Sequence, residues 1–226
     1  MTKEELFAVA VPQKTASYSP VSHQILHEAV AEKILKRGWT IDNERIDTNQ
    51  KGTQMFTTLG IGVGHGEQRM SVGYRNSYDK SLSVGLVSGS QIIVCSNLMF
   101  VGDVKLLRKH TSGVFNDLYY LIDEVLGETE KTFEIALEET QIFKDIPMEK
   151  RIMAEVAGRM FIQDEIINST QLNILKKEIN GSENFQEETL WDFYNHTTEA
   201  LKLAHPSQAM QTYTNFHAYA KELVLR

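Results

Sequence analysis

The pattern of apolar and polar positions changes along the chain, from helical to strand-like and back to helical. Steps of three and four residues between apolar positions begin after Ser22 and stop at Gly38, which predicts a first helix capped by Ser22. Residues 1–21 contain two prolines and no sustained period, so they are expected to form an irregular or loosely attached arm. Extended segments are then predicted over 39–46 and 55–63.

The strand-like region continues to about residue 95. Residues 49–52 are typical of a hairpin turn, and further strands are predicted over 82–87 and 91–95 with a tight turn at 88–90 between them. Glycine recurs at every second position over 60–66. A phosphate-cradling loop requires a different spacing, so these glycines indicate either a flexible flap or an ordinary loop between strands.

Helical spacing returns at Val104 and continues without interruption to Thr140. This spacing predicts an unusually long helix, or two helices broken near Gly127. The apolar seam, which includes Leu118 and Leu121, must be covered by other helices or by a second subunit, because large exposed apolar patches are uncommon on monomers. Shorter helices are predicted for the rest of the chain, the first of them starting with a proline.

These elements define an α+β fold. The predicted order is a helix, an antiparallel sheet of four or five strands, a long helix and a C-terminal helical segment. The corresponding regions are an arm (1–21), an α+β core domain (22–146) and a helical segment (147–226) that packs on the core or mediates self-association.

Charge is distributed unevenly, although the formal net charge of the whole chain is −7. Residues 67–110 carry six basic and three acidic side chains, a net of +3, whereas residues 111–226 carry ten basic and twenty acidic side chains, a net of −10. The middle segment would attract a polyanion. Alternatively, it would pair with the acidic helices of its own or a neighbouring chain.

Two features of the composition indicate the cellular compartment. A single cysteine cannot form an internal disulfide, which is typical of a reducing environment. No apolar stretch approaches the roughly 20 residues that a membrane span requires. We therefore expect a cytoplasmic protein without a membrane partner.

The basic middle segment also contains tyrosines, and this combination suits a nucleic-acid strand. Arginine and lysine contact phosphates, and tyrosine rings stack on bases. Part of the set lies in a polar cluster that would also serve as an ordinary hairpin turn, and part lies at the predicted start of the long helix, where amide donors favour anions. The candidate binding residues are Arg69, Tyr74, Arg75, Tyr78, Lys80, Lys105, Arg108, Lys109 and His110.

Two arrangements could support catalysis or metal binding, but both are incomplete. Cys95 ends an apolar strand and His110 could act as its base, yet an unpaired cysteine in this position is more often a small buried residue. His23 and His27 lie one helical turn apart, but the zinc-protease pattern requires a glutamate at position 24, where this chain has Gln24. We expect no enzyme activity, metal or cofactor.

Several segments together resemble the phage/plasmid-like proteins that contain domain of unknown function 932. That family shows an Arg-Asn-Ser-x-Asp element, a Val-Cys-x-Asn-x-x-Phe element and a Lys-His-Thr element, and matching residues occur here over 72–81, 94–100 and 109–111, with further similarity over 189–195. The motif residues added by this resemblance are Asn76, Ser77, Asp79, Cys95, Asn97 and Trp191. The resemblance implies a mobile-element origin and no established chemistry.

The order of helix, antiparallel strands and long helix is also similar to the core of single-strand annealing proteins of the radiation-repair type. Those proteins form rings and hold single-stranded DNA in a basic groove beside a β-hairpin. By this resemblance the chain is expected to be a homo-oligomer that binds single-stranded DNA or RNA in recombination, annealing or replication of a phage or plasmid, without catalysis. The alternative is an acidic interaction module, a phage factor that binds or inhibits a host or defence protein.

Overall fold

The computed structural model describes residues 1–93, 97–100 and 105–225, so Cys95 and the strand end predicted around it lie outside the described residues. The described part of the chain has the α+β fold predicted from the sequence. Its helices are α1 (Lys3–Phe7), α2 (His23–Lys36), α3 (Val114–Lys144), α4 (Lys150–Ile162), α5 (Ser169–Gly181), α6 (Leu190–Leu201) and α7 (Pro206–Val224). Its strands are β1 (Ile41–Thr48), β2 (Gln54–His65), β3 (Gln68–Ser77), β4 (Val84–Ile92), β5 (Leu98–Met99) and β6 (Lys105–Arg108).

The strands form one antiparallel sheet that curls into a half-barrel, in the order β1–β2–β3–β4–β5. Strand β6 also pairs with β4, next to β5, so the two short strands complete the same edge of β4 one after the other. In the centre of the sheet Phe56 lies opposite Arg75, and Arg75 lies opposite Gly85. The glycines from 60 to 64 belong to β2 rather than to a flap, and the hairpin turn follows at Gly66.

Each face of the sheet has its own apolar core, because successive side chains of a strand point to opposite faces. Leu59, Val72 and Leu86 lie on one face and pack against α2 and the first half of α3. Phe56 and Phe100 lie on the other face and pack against the C-terminal helices. The sheet is thus enclosed between two helical layers.

The arm and α2 are fixed to the sheet. Ser22 caps α2 by accepting a hydrogen bond from the Ile25 N–H, and the chain leaves the helix through Gly38 at φ +77°, as predicted. The expectation of a loose arm is wrong. Leu6 in α1 is fully buried, and the Ser19 N–H donates to the His110 carbonyl at 2.9 Å. These contacts attach both ends of the arm to the rest of the fold.

Helix α3 is a single helix that continues through Gly127. Its seam is covered within this chain, by α2 and the sheet along its first half and by α6 further on. Leu118 and Val125 are buried as predicted, whereas Leu121 is only half-buried and Ile122 takes its place in the core. None of the described helices has the length and apolarity needed to cross a membrane.

The predicted turn at residues 88–90 is wrong, since β4 passes straight through it. A Cβ atom at Gly89 would lie 2.1 Å from the Met99 carbonyl oxygen, so the glycine is required by the close approach of the chain at β5 rather than by a turn.

The predicted start of the long helix is also wrong. Residues Lys105–Arg108 form β6, which pairs with Val84 to Val87 of β4, and α3 begins only at Val114. A helix there would leave this part of the β4 edge without backbone partners. Pairing with the strand satisfies those groups and overrides a helical spacing of apolar residues.

Candidate nucleic-acid interface

Three separate segments enclose a pocket of about 340 Å³ at one end of the sheet. They are the arm at Ser17 and Tyr18, the β3–β4 connection at 80–83, and residues 109–111 between β6 and α3. The pocket therefore brings together three of the residues that the sequence proposed as nucleic-acid contacts, namely Lys80, Lys109 and His110.

Backbone and side-chain hydrogen bonds hold the three segments in place. The Tyr18 hydroxyl lies 3.2 Å from the Tyr78 carbonyl oxygen, to which it donates, and the Ser77 hydroxyl both donates to and accepts from the backbone of Leu82. Together with the bond between Ser19 and the His110 carbonyl, these contacts join the arm, the β3–β4 connection and the chain before α3.

Lys80 is oriented by its backbone and by an aromatic ring. Its φ of +65° is unusual for a residue with a side chain, and its ammonium group lies 4.9 Å from the centre of the Tyr18 ring. The adjacent Asp79 does not line the pocket. Burial raises the pKa of Asp79, but hydrogen bonds from Ser81 and Gln54 outweigh this effect and lower the pKa below its usual value.

His110 lies at the inner wall of the pocket and is 7% exposed. Burial lowers its pKa, and the nearby backbone of Ser19 and Leu82 only partly opposes this shift. Neither ring nitrogen has a hydrogen-bond partner of good geometry among the described residues. A buried ring whose nitrogens lack a well-aligned partner among the described residues can hydrogen-bond a ligand in the pocket.

The lining of this pocket is basic and rich in hydroxyl groups. Lys80 and Lys109 are exposed at its mouth, and the described residues that line it include no carboxylate. The hydroxyl groups come from Ser17, Tyr18, Ser81, Ser83 and Thr111. Lysine ammonium groups with hydroxyl donors form a setting that suits a phosphate group.

The other basic residues of the predicted set lie elsewhere. Arg108 donates to Asp117 at 2.6 Å, and Arg69 lies on the α7 side of the sheet, 3.7 Å from an oxygen of Asp42. Arg75 lies on the same side, half-buried. Its closest polar contact is the Ser207 carbonyl oxygen at 3.5 Å, and it forms no ion pair with a carboxylate within the described ranges. Strand β6 carries Lys105.

The two tyrosines proposed to stack on bases are buried, and this part of the prediction is wrong. Tyr74 is fully buried, and its hydroxyl lies 2.6 Å from Nδ1 of His27. Tyr78 is 5% exposed, and its ring stacks on the ring of His23. Both rings fill the space between the sheet and α2, so neither presents a face to a ligand.

The residues of the family motif join separate parts of the fold. Asn76 donates to the Val21 carbonyl at 2.7 Å, and Asn97 donates to the Asn195 carbonyl at 3.0 Å. Trp191 is buried, and its ring stacks on Tyr194. Ser77 and Asp79 shape the β3–β4 connection as described above. These contacts give a structural role to every motif residue in the described part of the chain, which does not include Cys95.

Exposed aromatic residues occur instead on the first two turns of α3, which sequence reasoning did not select. Phe115, Tyr119 and Tyr120 are 41%, 45% and 69% exposed. Phe115 is four residues after Thr111 of the pocket, so it lies within about 15 Å of it along the chain. The sequence does indicate that these rings are exposed, because all three lie off the apolar seam of the helix.

Comparisons of the chain with family models, with curated proteins and with solved structures find no match. No group of three potential metal ligands lies close together in the described part of the chain.

Proposed function

We propose that this protein binds single-stranded nucleic acid and holds a backbone phosphate in the pocket formed by Lys80, Lys109 and His110. The observation that carries the proposal is the convergence of these three residues, from two distant segments, on one pocket whose described lining has no carboxylate. Two ammonium groups neutralise the phosphate charge, and the hydroxyl groups donate hydrogen bonds to its oxygens.

The exposed rings on α3 favour a single strand over a duplex. Unpaired bases expose their faces and stack on aromatic side chains, whereas the bases of a duplex are already stacked on one another. Tyr119 and Tyr120 replace Tyr74 and Tyr78 in this role. Lys33 of α2 lies 5.8 Å from the centre of the Tyr119 ring and pairs with Asp123, so this side of the stacking surface carries no unpaired acidic group from Asp123.

The acidic C-terminal region limits the strength of binding rather than its location. Asp117 and Asp123 lie on the same helix as the exposed rings, and both are paired, with Arg108 and with Lys33. More distant carboxylates are screened, because the Debye length is about 8 Å at physiological salt.

The resemblance to phage/plasmid-like proteins and to single-strand annealing proteins also supports binding of single-stranded nucleic acid. On this basis we infer a non-catalytic role in recombination, annealing or replication of a mobile element, in the bacterial cytoplasm and as a homo-oligomer. This assignment rests on fold-level and motif-level analogy, and the pocket supplies the chemistry.

The test is a binding titration with a fluorescently labelled oligothymidine, followed by anisotropy at low salt. The double variant Lys80→Glu, Lys109→Glu should abolish binding. The control Lys176→Glu, Lys177→Glu reverses two exposed charges of the acidic half, so it changes the net charge equally and should leave binding nearly unchanged. If the wild-type protein shows no binding, or if both doubles behave alike, the proposal fails and the acidic interaction module becomes the better description.

A further inference from the structure

A second pocket, of about 420 Å³, lies between the start of α4, the end of α5, residues 182–188 and α6. Three carboxylates line it, from Glu178, Glu183 and Glu188, against one basic group, from Lys150. With histidine neutral, the lining side chains carry a net charge of −2. The charge of this second pocket is therefore opposite in sign to that of the pocket around Lys80 and Lys109, and it attracts cations.

A buried histidine, His196, lines this pocket, and one of its ring nitrogens lacks a well-aligned hydrogen-bond partner among the described residues. His196 is 4% exposed and lines the pocket, and its Nδ1 atom has no hydrogen-bond partner of good geometry among the described residues. The nearest carboxylate oxygen, of Glu178, is 3.9 Å away, which is beyond hydrogen-bond distance. Burial lowers the pKa of His196, so the neutral ring prevails at neutral pH, and in the tautomer protonated at Nε2 the Nδ1 atom is an acceptor.

The loop that forms one wall of the pocket is held in a strained conformation. Phe185 and Glu188 have φ values of +61° and +56°, in the left-handed region that residues with side chains seldom occupy. The Glu188 carbonyl accepts a 2.6 Å bond from the Met148 N–H, which fixes the end of the loop. The Phe185 ring meets the His196 ring edge to face, with centroids 6.4 Å apart. Strain of this kind is concentrated at binding and catalytic sites.

We propose that this pocket binds a guanidinium or alkylammonium group. The carboxylates of Glu178 and Glu188 form ion pairs with the cation, Nδ1 of His196 accepts one of its N–H bonds, and the Phe185 ring offers a face to its charge. This arrangement satisfies the unpartnered histidine nitrogen. It also relieves an existing conflict, because burial and the nearby Glu199 raise the pKa of Glu178.

The cation can come from the arginine or lysine side chain of a protein partner, or from a free amine. Both present the same group to the pocket. The inference is independent of nucleic-acid binding, since it concerns a different pocket of opposite charge, and the two proposals can fail separately.

The test uses agmatine, which carries a guanidinium and an ammonium group. Calorimetry measures its affinity, and the NMR resonances of the His196 imidazole nitrogens show whether it binds at this pocket. Saturable binding that shifts the Nδ1 resonance is expected. Glu178→Gln and Glu188→Gln should each weaken binding about five-fold or more, and Lys150→Gln should strengthen it about two-fold, because each removes a charge at the pocket.

The matched control is Glu187→Gln, an exposed neighbour that does not line the pocket and that loses the same charge. It should leave agmatine binding unchanged. A Gly-Arg-Gly peptide amide that binds about ten-fold tighter than agmatine would identify a protein side chain as the source, and the reverse order a free amine. No saturable binding to the wild-type protein, or equal weakening by the control and the two pocket variants, would overturn the proposal.

Discussion

The imidazole ring of His23 stacks on the phenol ring of Tyr78, with centroids 3.9 Å apart and planes 16° from parallel. The Tyr78 hydroxyl accepts a 2.8 Å hydrogen bond from the backbone N–H of His23, and Asn76 lies 3.0 Å from Nδ1 of the same ring. The start of α2 is thereby joined to the end of β3. Asn76 and Tyr78 belong to the Arg-Asn-Ser-x-Asp element of the sequence, and their contacts with His23 give that element a structural role.

Tyr78→Phe should therefore lower stability without changing oligonucleotide binding. The substitution keeps the ring stack but leaves the buried His23 N–H without an acceptor, which costs about 1–3 kcal/mol of the free energy of unfolding. Urea denaturation measures the loss, and anisotropy with labelled oligothymidine measures binding. Tyr120→Phe, at an exposed position, is the control and should leave stability unchanged. Weaker binding by folded Tyr78→Phe would restore a ligand-contacting role for this tyrosine.

Stability should fall as the pH is lowered below about 6.5, largely because of His23. Burial lowers the pKa of His23 to about 4, although the Gly52 carbonyl, 3.1 Å from Nε2, partly opposes the shift. Between its folded pKa and the ordinary value near 6.5, the unfolded chain binds a proton that the folded chain does not. Unfolding is therefore favoured increasingly as the pH falls, by about 2 kcal/mol from pH 7 to pH 5.

The measurement is urea denaturation of the wild-type protein and of His23→Asn at both pH values. The variant should lose less stability on acidification than the wild type, whatever its stability at pH 7. His65→Gln, at an exposed position, should retain the wild-type dependence. Burial also lowers the pKa of His27, His110 and His196, so part of the acid sensitivity should remain in His23→Asn. Equal losses in the wild type and His23→Asn would contradict this account.

Two glycine-to-alanine substitutions should have opposite effects. At Gly89 the added methyl group would collide with the Met99 carbonyl oxygen, and moving that backbone should cost about 1–3 kcal/mol. At Gly127, in the middle of α3, nothing lies within 4 Å of the added methyl group, so Gly127→Ala should stabilise the helix by about 1 kcal/mol. Thermal denaturation of the two variants tests the pair. Tolerance of alanine at position 89 would show that β5 does not approach β4 as described.

The sequence was sufficient to predict those features of the fold that depend on local interactions. The Ser22 cap, the Gly38 terminus and the uninterrupted apolar seam of α3 each follow from a few neighbouring residues, and the structure confirms them. Features that depend on distant contacts were not predictable in the same way. Gly89 is required by a carbonyl ten residues away, and Lys105–Arg108 become a strand because β4 offers them partners.

The same distinction explains which residues of the pocket around Lys80, Lys109 and His110 the sequence could select. Charge and residue type selected Lys80, Lys109 and His110, which the fold brings together. They could not select Tyr18, because the arm had no pattern that placed it beside the β3–β4 connection. Nor could they show that Tyr74 is buried, since a tyrosine in a strand can point to either face until the register is known.

Stacking and phosphate contact should be separable by salt dependence, which provides the last prediction. Tyr120→Ala removes the most exposed ring on α3 and should weaken oligothymidine binding by about 1–3 kcal/mol, as expected for the loss of one stacked base. It should leave the dependence of affinity on salt concentration unchanged, because no phosphate contact is lost. Lys109→Gln should weaken binding too, but it should also reduce the slope of log K against log salt by about one unit.

Anisotropy titrations over a series of salt concentrations measure both quantities for each variant. Tyr120→Phe keeps the ring and should behave like the wild type, whereas Lys177→Gln removes a distant exposed charge and should change neither affinity nor slope. If Tyr120→Ala and Lys109→Gln reduce the slope equally, the tyrosine acts on the basic pocket and not on a base. If Tyr120→Ala changes nothing, the strand leaves the pocket in another direction, and the α3 aromatic surface belongs to a different contact.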